Sequence, residues 1–591
     1  MGLTFTKLDP YELITFKELS PDVPLENIEV PERGENRKPT DFKWLVTFGL
    51  VILLFLPFFI YTMCYSDITR LTVGYDQCGN ICGEKNSHWS GIDCSGKDFT
   101  DYPYLEFQNS SSDDTYSTNY LLMNRSCVQT CRLGYTPREE RCIKMSNFNE
   151  IDSSYVDESD DNDVEEKYDV SLYLSSVKWQ ITVSCLLSLL VSVGMLFLFR
   201  FSVHIVVWGT IYVGLGALVF WTVAAWYFYF TATFYSTGHI LAYALLMTLI
   251  TIAFLVLLVW FRTRVHLVIM ILGEAVKAVF DMPGLIVVPI TSTLAIFILS
   301  IIFLLTMVSM LSAGNLENLV SDYYVYMPDS TMTFTIIYNC VIYLWLTQFF
   351  TGIQYMVVAG AVSKWYFARD KLSLRAPIFD SLAITFKFHL GSVAIGSLLI
   401  TLVQTIKILI LSLIKNRRIR SLVEFCIDQI ETFFKFLSKN AYIVTAIHGQ
   451  PFLKSGRRAA RLLAQNIGEV IAVNSIGDFV LGMVKVFIFL FTILLSVIIF
   501  AIFPNPYGTS NIPAYMIIGI VAIIVACLSF GVFETTIDTL FVCYCEDNLL
   551  NDGMSKPYYM SNEFMGFMEK SREVYGEKEA PPPSYGFAVA V

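Results

Sequence analysis

Nine stretches of this 591-residue chain are each long and apolar enough to dictate its architecture: residues 44–63, 179–200, 203–230, 239–261, 286–311, 332–362, 390–413, 479–503 and 514–540. Crossing the hydrocarbon of a bilayer as a helix takes about 20 predominantly apolar residues. A weaker tenth stretch lies at 421–448. The runs are too long for barrel strands and lack their alternation, so helices are the remaining way to satisfy the backbone in lipid. Only 16% of the residues are charged, against about a quarter in soluble proteins. The chain reads as an all-α polytopic membrane protein of about ten transmembrane helices.

The formal net charge of −11 has one address. Residues 65–176, after the first run, hold 21 acidic and 9 basic residues, which leaves the rest of the chain near neutrality. An acidic loop on a neutral bundle argues against nucleic acid as a partner. The same loop carries Cys78, Cys82, Cys94, Cys127, Cys131 and Cys142. Six cysteines in an exposed segment read as three disulfides, with 15 connectivities open. The spacing Cys78-x3-Cys82 with Cys127-x3-Cys131 also allows zinc, but no histidine stands at ligand spacing. Sequons at Asn109 and Asn124 mark glycosylation sites on a lumenal or extracellular face. The segment 150–169 is acidic enough to be disordered.

The expected organisation is a cytosolic tail at 1–43, a first helix at 44–63 and an extracellular cysteine-rich loop at 64–176. A bundle of about nine further helices at 177–545 and a cytosolic tail at 546–591 complete it. Lys38 and Lys43 before the first run place the N-terminus inside. Alternation then runs consistently to Arg375, with a surface or partly embedded helix expected at 266–280 before Pro283-Gly284. The pair at 380–448 is ambiguous. Two crossings put the basic run Lys415–Arg420 outside, against the charge rule, whereas a re-entrant hairpin keeps it inside. The stretch 379–478 also concentrates Lys387, His389, Gln404, Lys407, Glu424, Asp428, Glu431, Asn440, His448, Glu469 and Asp478. Polar groups at membrane depth are costly and usually face a bundle interior or a solute path. The bland reading places them on surface helices.

Several islands resemble the choline transporter-like family of solute carriers. Asp67–Asp76 (DITRLTVGYD) with Gly79–Gly83 (GNICG) is similar to its ectodomain entry, and Ala359–Tyr366 (AGAVSKWY) and His389–Gly396 (HLGSVAIG) to two of its helix motifs. Asn440–Ile443 with Ala446–Gly449, then Asp538–Phe541, Glu546-Asp547, Asn551–Gly553 and Lys556–Ser561, follow in the family's order. The resemblance implies about ten helices, a large glycosylated first external loop, both termini in the cytosol, and transport of choline and related amines. One departure stands out: Glu534, one helical turn before Asp538, occupies a position where a small residue is expected.

A quaternary ammonium ion donates no conventional hydrogen bond. Aromatic faces hold it at roughly 0.5–2 kcal/mol per contact, with a carboxylate balancing the charge. Aromatic candidates are Trp208 and Tyr212 (on one face at i, i+4), Trp345 and Tyr442, with Trp221, Trp226, Tyr338 and Tyr355 also on spans. Asn440 suits a choline hydroxyl, and Glu534 and Asp538 share a helix face where they could draw a cation or carry a proton. Ordinary bundle packing, or an interfacial belt for Trp226, is the competing reading of the aromatics. The chain has no P-loop, nucleophile-elbow or zincin motif and no cofactor or metal signature, so enzyme and ATP-driven pump are both unsupported. Transport would be secondary or facilitative, at the plasma membrane. The alternative is a non-transporting receptor or scaffold whose ectodomain binds protein. A PPxY-type sequence (Pro582, Pro583, Tyr585) in the C-terminal tail matches the polyproline ligands of WW domains, as on ubiquitin ligases.

Overall fold

The computed structural model describes residues 37–89, 91–108, 124–133, 135–138, 140–144, 176–231, 237–320, 323–465, 467–504, 511–551 and 558–559. Asn109, the acidic segment 150–169 and the PPxY sequence lie outside them, and of Asn124 only its place at the start of a strand is described. The helices are α1 Phe42–Cys64, α2 Lys178–Phe201, α3 Val203–Thr231, α4 Thr237–Asp281, α5 Val287–Leu311 and α6 Ser330–Phe367. They continue with α7 Pro377–Ile384, α8 Leu390–Leu413, α9 Arg417–His448, α10 Phe452–Gln465, α11 Ile467–Ile502 and α12 Ile512–Leu550. Among the described residues nine helical segments are long and apolar enough to cross a membrane. The helical membrane fold read from the sequence is thus the observed one.

Two helices organise the bundle. α6 and α12, of 38 and 39 residues, pack against each other, and each carries a long run of buried positions in its second half. Around α6 stand α1, α5, α8 and α9; around α12 stand α2, α4 and α11, with α3 beyond them on α4 and α11. Small residues allow this closeness: Gly352, Ala359, Gly360 and Ala361 on α6, and Ala522 and Ala526 on α12, are all buried.

Two local features differ from expectation. The segment 266–280 is no separate surface helix; it continues α4 without a break, and Leu272, Ala275, Ala278 and Val279 are fully buried. Nothing between the span and Pro283 breaks the helical hydrogen bonding, so the helix runs on to Asp281. The last helix likewise runs to Leu550, past the boundary expected at 545. α9 is the weak tenth stretch: a 32-residue helix, about 48 Å long at 1.5 Å per residue, returning alongside α8 and α6. Its first half is largely exposed and its last stretch, from Asn440 to His448, is buried throughout.

α7 and α8 form one helical rod interrupted by a π-helical turn at Thr385–His389. Such turns recur at functional positions because they shift the register and re-aim side chains. Here the turn presents the Phe388 carbonyl and the His389 ring to the segment before α1.

The loop after α1 carries a four-stranded sheet ordered β2-β1-β4-β3, with β1 Tyr104–Gln108, β2 Asn124–Val128, β3 Tyr135–Arg138 and β4 Arg141–Lys144. The six cysteines pair as Cys78–Cys94, Cys82–Cys127 and Cys131–Cys142. Asp76 and Asn80 hold the first turn: the Asp76 carboxylate accepts from the Cys78 and Asn80 amides at 2.9 and 2.8 Å, and Asn80 Oδ1 accepts from the Gly96 amide at 2.7 Å. The GNICG island is therefore scaffolding. A second hairpin, β5 Asn315–Val320 with β6 Tyr323–Met327, seats on it, as the Tyr324 amide donates to the Gln77 carbonyl at 2.8 Å and the Tyr326 hydroxyl to Gly79 at 2.7 Å. Gly79 has φ +81° and lies under Leu316, so no larger residue fits there.

Candidate functional site

The interior of the bundle is built where α6, α8 and α9 cross. Trp345 of α6 is buried against Phe48 of α1, edge-on at 4.9 Å, and its indole N–H donates to Ser397 Oγ at 3.1 Å and the Ala394 carbonyl at 3.3 Å. Tyr442 of α9 is buried against the same stretch of α8, donating to the Val393 carbonyl at 3.3 Å. A Cβ at Gly396 would drive into the Tyr442 hydroxyl, and one at Gly352 would approach it to 3.0 Å. Both polar tips are satisfied by protein, so ring faces are what these residues offer a ligand. Asn440 spends its amide on the Phe436 carbonyl of its own helix at 2.9 Å.

The carboxylates of α12 do not stand alone. Asp538 pairs with Lys439 of α9, and Glu534 with Lys485 of α11. The Lys439 ammonium also lies over the Tyr355 ring of α6, 5.5 Å from its centroid. A native ammonium is thus held between a carboxylate and an aromatic face. Sequence reasoning singled out the two carboxylates and Tyr355 but missed both lysines, because partners on other helices leave no mark on local spacing.

Trp208 and Tyr212 stack on one another at 5.6 Å as their spacing predicts, but Tyr212 is 59% exposed and its ring faces out of the bundle. α3 packs on α2, α4 and α11, and Trp208 is half-buried against the bundle core. Of the polar residues in the 379–478 stretch, one group pairs internally: Gln404 donates to Glu431 at 2.9 Å, Lys407 meets Asp428 and Glu431, and Lys435 meets Glu431 at 2.7 Å. Lys387, Glu424 and Asp478 are exposed, and the side chain of Glu469 lies outside the described residues.

The end of the bundle opposite the disulfide-bonded loop is closed by a second network. Arg37 is buried, and its guanidinium donates to the Ala446 and Ile447 carbonyls at 2.6 and 3.3 Å, in the last turn of α9 where helical acceptors are unpaired. It also donates to His389 Nε2 at 3.1 Å, while Thr40 Oγ1 lies 2.8 Å from Nδ1. An arginine only donates, so Nε2 accepts and the proton of the ring sits on Nδ1. Asp41, at φ +54°, accepts from Ser392 Oγ and the Phe452 amide, both at 2.7 Å, which holds its left-handed backbone in place. Beneath Arg37 lies a cavity of about 10 Å³ lined by Gly360, Lys364, Ser381, Thr385 and His389, among others.

Next to it, Glu546 of α12 is fully buried and gripped by Arg458 of α10 through two bonds of 2.7 and 2.6 Å, with His448 Nε2 at 2.9 Å. Asp547 accepts from the Tyr366 hydroxyl at 3.1 Å and the Tyr559 amide at 2.9 Å. Lys371, just after α6, donates to the Trp365 and Tyr366 carbonyls over the Trp365 ring, and burial pulls its pKa below the usual lysine value. The islands AGAVSKWY, HLGSVAIG and NAYI…AIHG thus converge on this closed end.

Residues 245–549 match the family model described as plasma-membrane choline transporter. The chain belongs to that family. Relatives extend over nearly the whole length: the human choline transporter-like protein 3 is 27% identical, covering 91% of this chain and 92% of that protein. The choline transporter-like protein 1 of Torpedo marmorata is 28% identical over 91% of this chain and 94% of its own length. The choline transporter-like protein 2 of Dictyostelium discoideum is 27% identical over 85% and 90%.

Proposed function

We propose that this chain carries choline and related amine cations across the plasma membrane by alternating access, as a secondary or facilitative carrier that does no chemistry on its cargo. The observation that supports this reading is the Lys439 ammonium set between Asp538 and the Tyr355 ring. A substrate ammonium needs the same surroundings, and it would enter by displacing Lys439. Trp345 and Tyr442 supply aromatic walls, Asn440 a polar group for the hydroxyl, and Glu534 a second carboxylate released from Lys485 when the helices rearrange. The exposed Tyr212 is left to lipid contact in this scheme, while Trp208, half-buried against the core, packs the bundle.

Both termini lie in the cytosol in this reading and the disulfide-bonded loop lies outside, glycosylated at Asn109 and Asn124. The α8–α9 hairpin then crosses twice, because α8 starts beside Asp41 at the base of α1 and runs along α1 for a similar length. That places the basic tip Lys415–Arg420 on the loop side. The Arg37–Asp41 network is the closed cytoplasmic gate. Pro582, Pro583 and Tyr585 would recruit a WW-domain ubiquitin ligase to the tail. The test is radiolabelled choline uptake into proteoliposomes of the purified protein, with and without an imposed pH gradient. Saturable uptake lost in Asp538→Asn supports the reading; no uptake above empty vesicles by folded protein refutes it.

A further inference from the structure

α10 is built with two different faces. Phe452, Ser455, Ala459, Leu462 and Leu463 turn inward, with Phe452 against Tyr442 at 5.4 Å. Arg458, at the edge of that face, reaches in to Glu546. The opposite face is exposed and itself divided. Leu453, at 58% exposure, lines up with Ala460 and Ala464 along one edge, and Arg457, Arg461 and Lys454 follow along the other. Among the described residues none of these three bases has an ion-pair partner, whereas Arg458 four positions after Lys454 is fully engaged.

A helix with apolar residues along one edge and unpaired bases beside them is suited to the headgroup layer, with the apolar edge in the acyl boundary and the bases at phosphate level. The position fits. α10 follows the last turn of α9 and precedes α11, at the end of the bundle where Lys38, Lys43 and Lys387 are also exposed. An anionic lipid leaflet is the surface that meets all three bases together with Leu453, charge against charge and apolar edge against acyl chain.

We infer that the exposed face of α10 is a binding surface for anionic phospholipid headgroups, held by Lys454, Arg457 and Arg461 and anchored by Leu453. Because the inner face of the same helix grips Glu546 and presents the Phe452 amide to Asp41, lipid bound outside steadies the closed network inside. The inference requires only that the bundle is embedded in a membrane, and it stands whatever solute the bundle carries.

The full-length protein in neutral detergent would be titrated with dioctanoyl-phosphatidylserine, dioctanoyl-phosphatidylcholine or glycerophosphoserine, following the thermal unfolding midpoint. The serine lipid should raise the midpoint saturably and the choline lipid should not. Each base near an anionic surface contributes about five-fold in affinity, so the K454Q/R457Q/R461Q variant should bind about a hundredfold more weakly. R457K/R461K should keep the wild-type affinity. Raising salt from 0.1 to 1 M, which shortens the screening length from about 10 to about 3 Å, should remove the wild-type preference. Equal response to both lipids, or a triple variant that binds like wild type, overturns the inference. Glycerophosphoserine binding as tightly as the lipid also overturns it, since the site would then take a free phosphate. If the triple variant does not fold, the salt series and R457K/R461K still decide.

Discussion

Replacing Arg37 with alanine should open the end of the bundle that this residue closes. Its guanidinium caps the last turn of α9 with bonds of 2.6 and 3.3 Å to Ala446 and Ile447 and adds a third to His389 at 3.1 Å. Hydrogen bonds to a charged group are worth about 1.5–3 kcal/mol each at most, and water replaces part of that once the end opens. A net loss of about 2 kcal/mol in favour of the closed arrangement raises the open fraction about 30-fold. The readout is an introduced thiol at Ser381→Cys, a buried position lining the cavity beneath Arg37. Its rate of modification by a water-soluble thiol reagent, followed by peptide mass spectrometry, should rise about 30-fold when Arg37→Ala is added, in proportion to the open fraction. Arg37→Lys keeps the charge without the forked geometry and should fall in between. An unchanged rate in a folded Arg37→Ala protein would mean that the segment merely rests on a closed bundle, and the gate assignment would be withdrawn.

Other consequences follow from the same contacts. Asp538→Asn leaves the half-buried Lys439 without its counter-charge and should lower thermal stability, by at most about 3–5 kcal/mol, whereas Asp538→Leu with Lys439→Met should recover stability but not choline uptake. Gly396→Ala pushes a methyl group into Tyr442 and Phe452 and should lower stability by about 1–3 kcal/mol, measured as a lower unfolding midpoint. Tyr212→Ala should leave uptake unchanged at normal surface levels and Trp345→Ala should abolish it; the reverse pattern would put the site on the outer face of α3. Removing Cys82–Cys127 by paired serine substitutions should cost about 2–5 kcal/mol, read by proteolytic susceptibility of the loop.

What could be read in advance, and what could not, divides along physical range. Span length and apolarity are local, so α1, α2, α3 and the start of α4 lie where hydropathy places them. The oxidised loop was equally legible from six clustered cysteines, but their pairing was not, because Cys82 meets Cys127 only after the chain between them has folded into strands. α9 was faint because half of it is exposed and polar; its burial comes from α6, α8 and α12 around its second half. The sequence by itself determined a helical membrane protein with a cysteine-rich loop and the motif islands of its family. Only the tertiary structure decided that Glu534 and Asp538 are neutralised by Lys485 and Lys439, and that Glu546 is held by Arg458 and His448. Tertiary structure alone also brought Arg37 across more than 400 positions to cap α9. A buried charge must find an opposite charge wherever folding brings one, and such partners, dozens to hundreds of residues apart, leave no periodic trace in the chain.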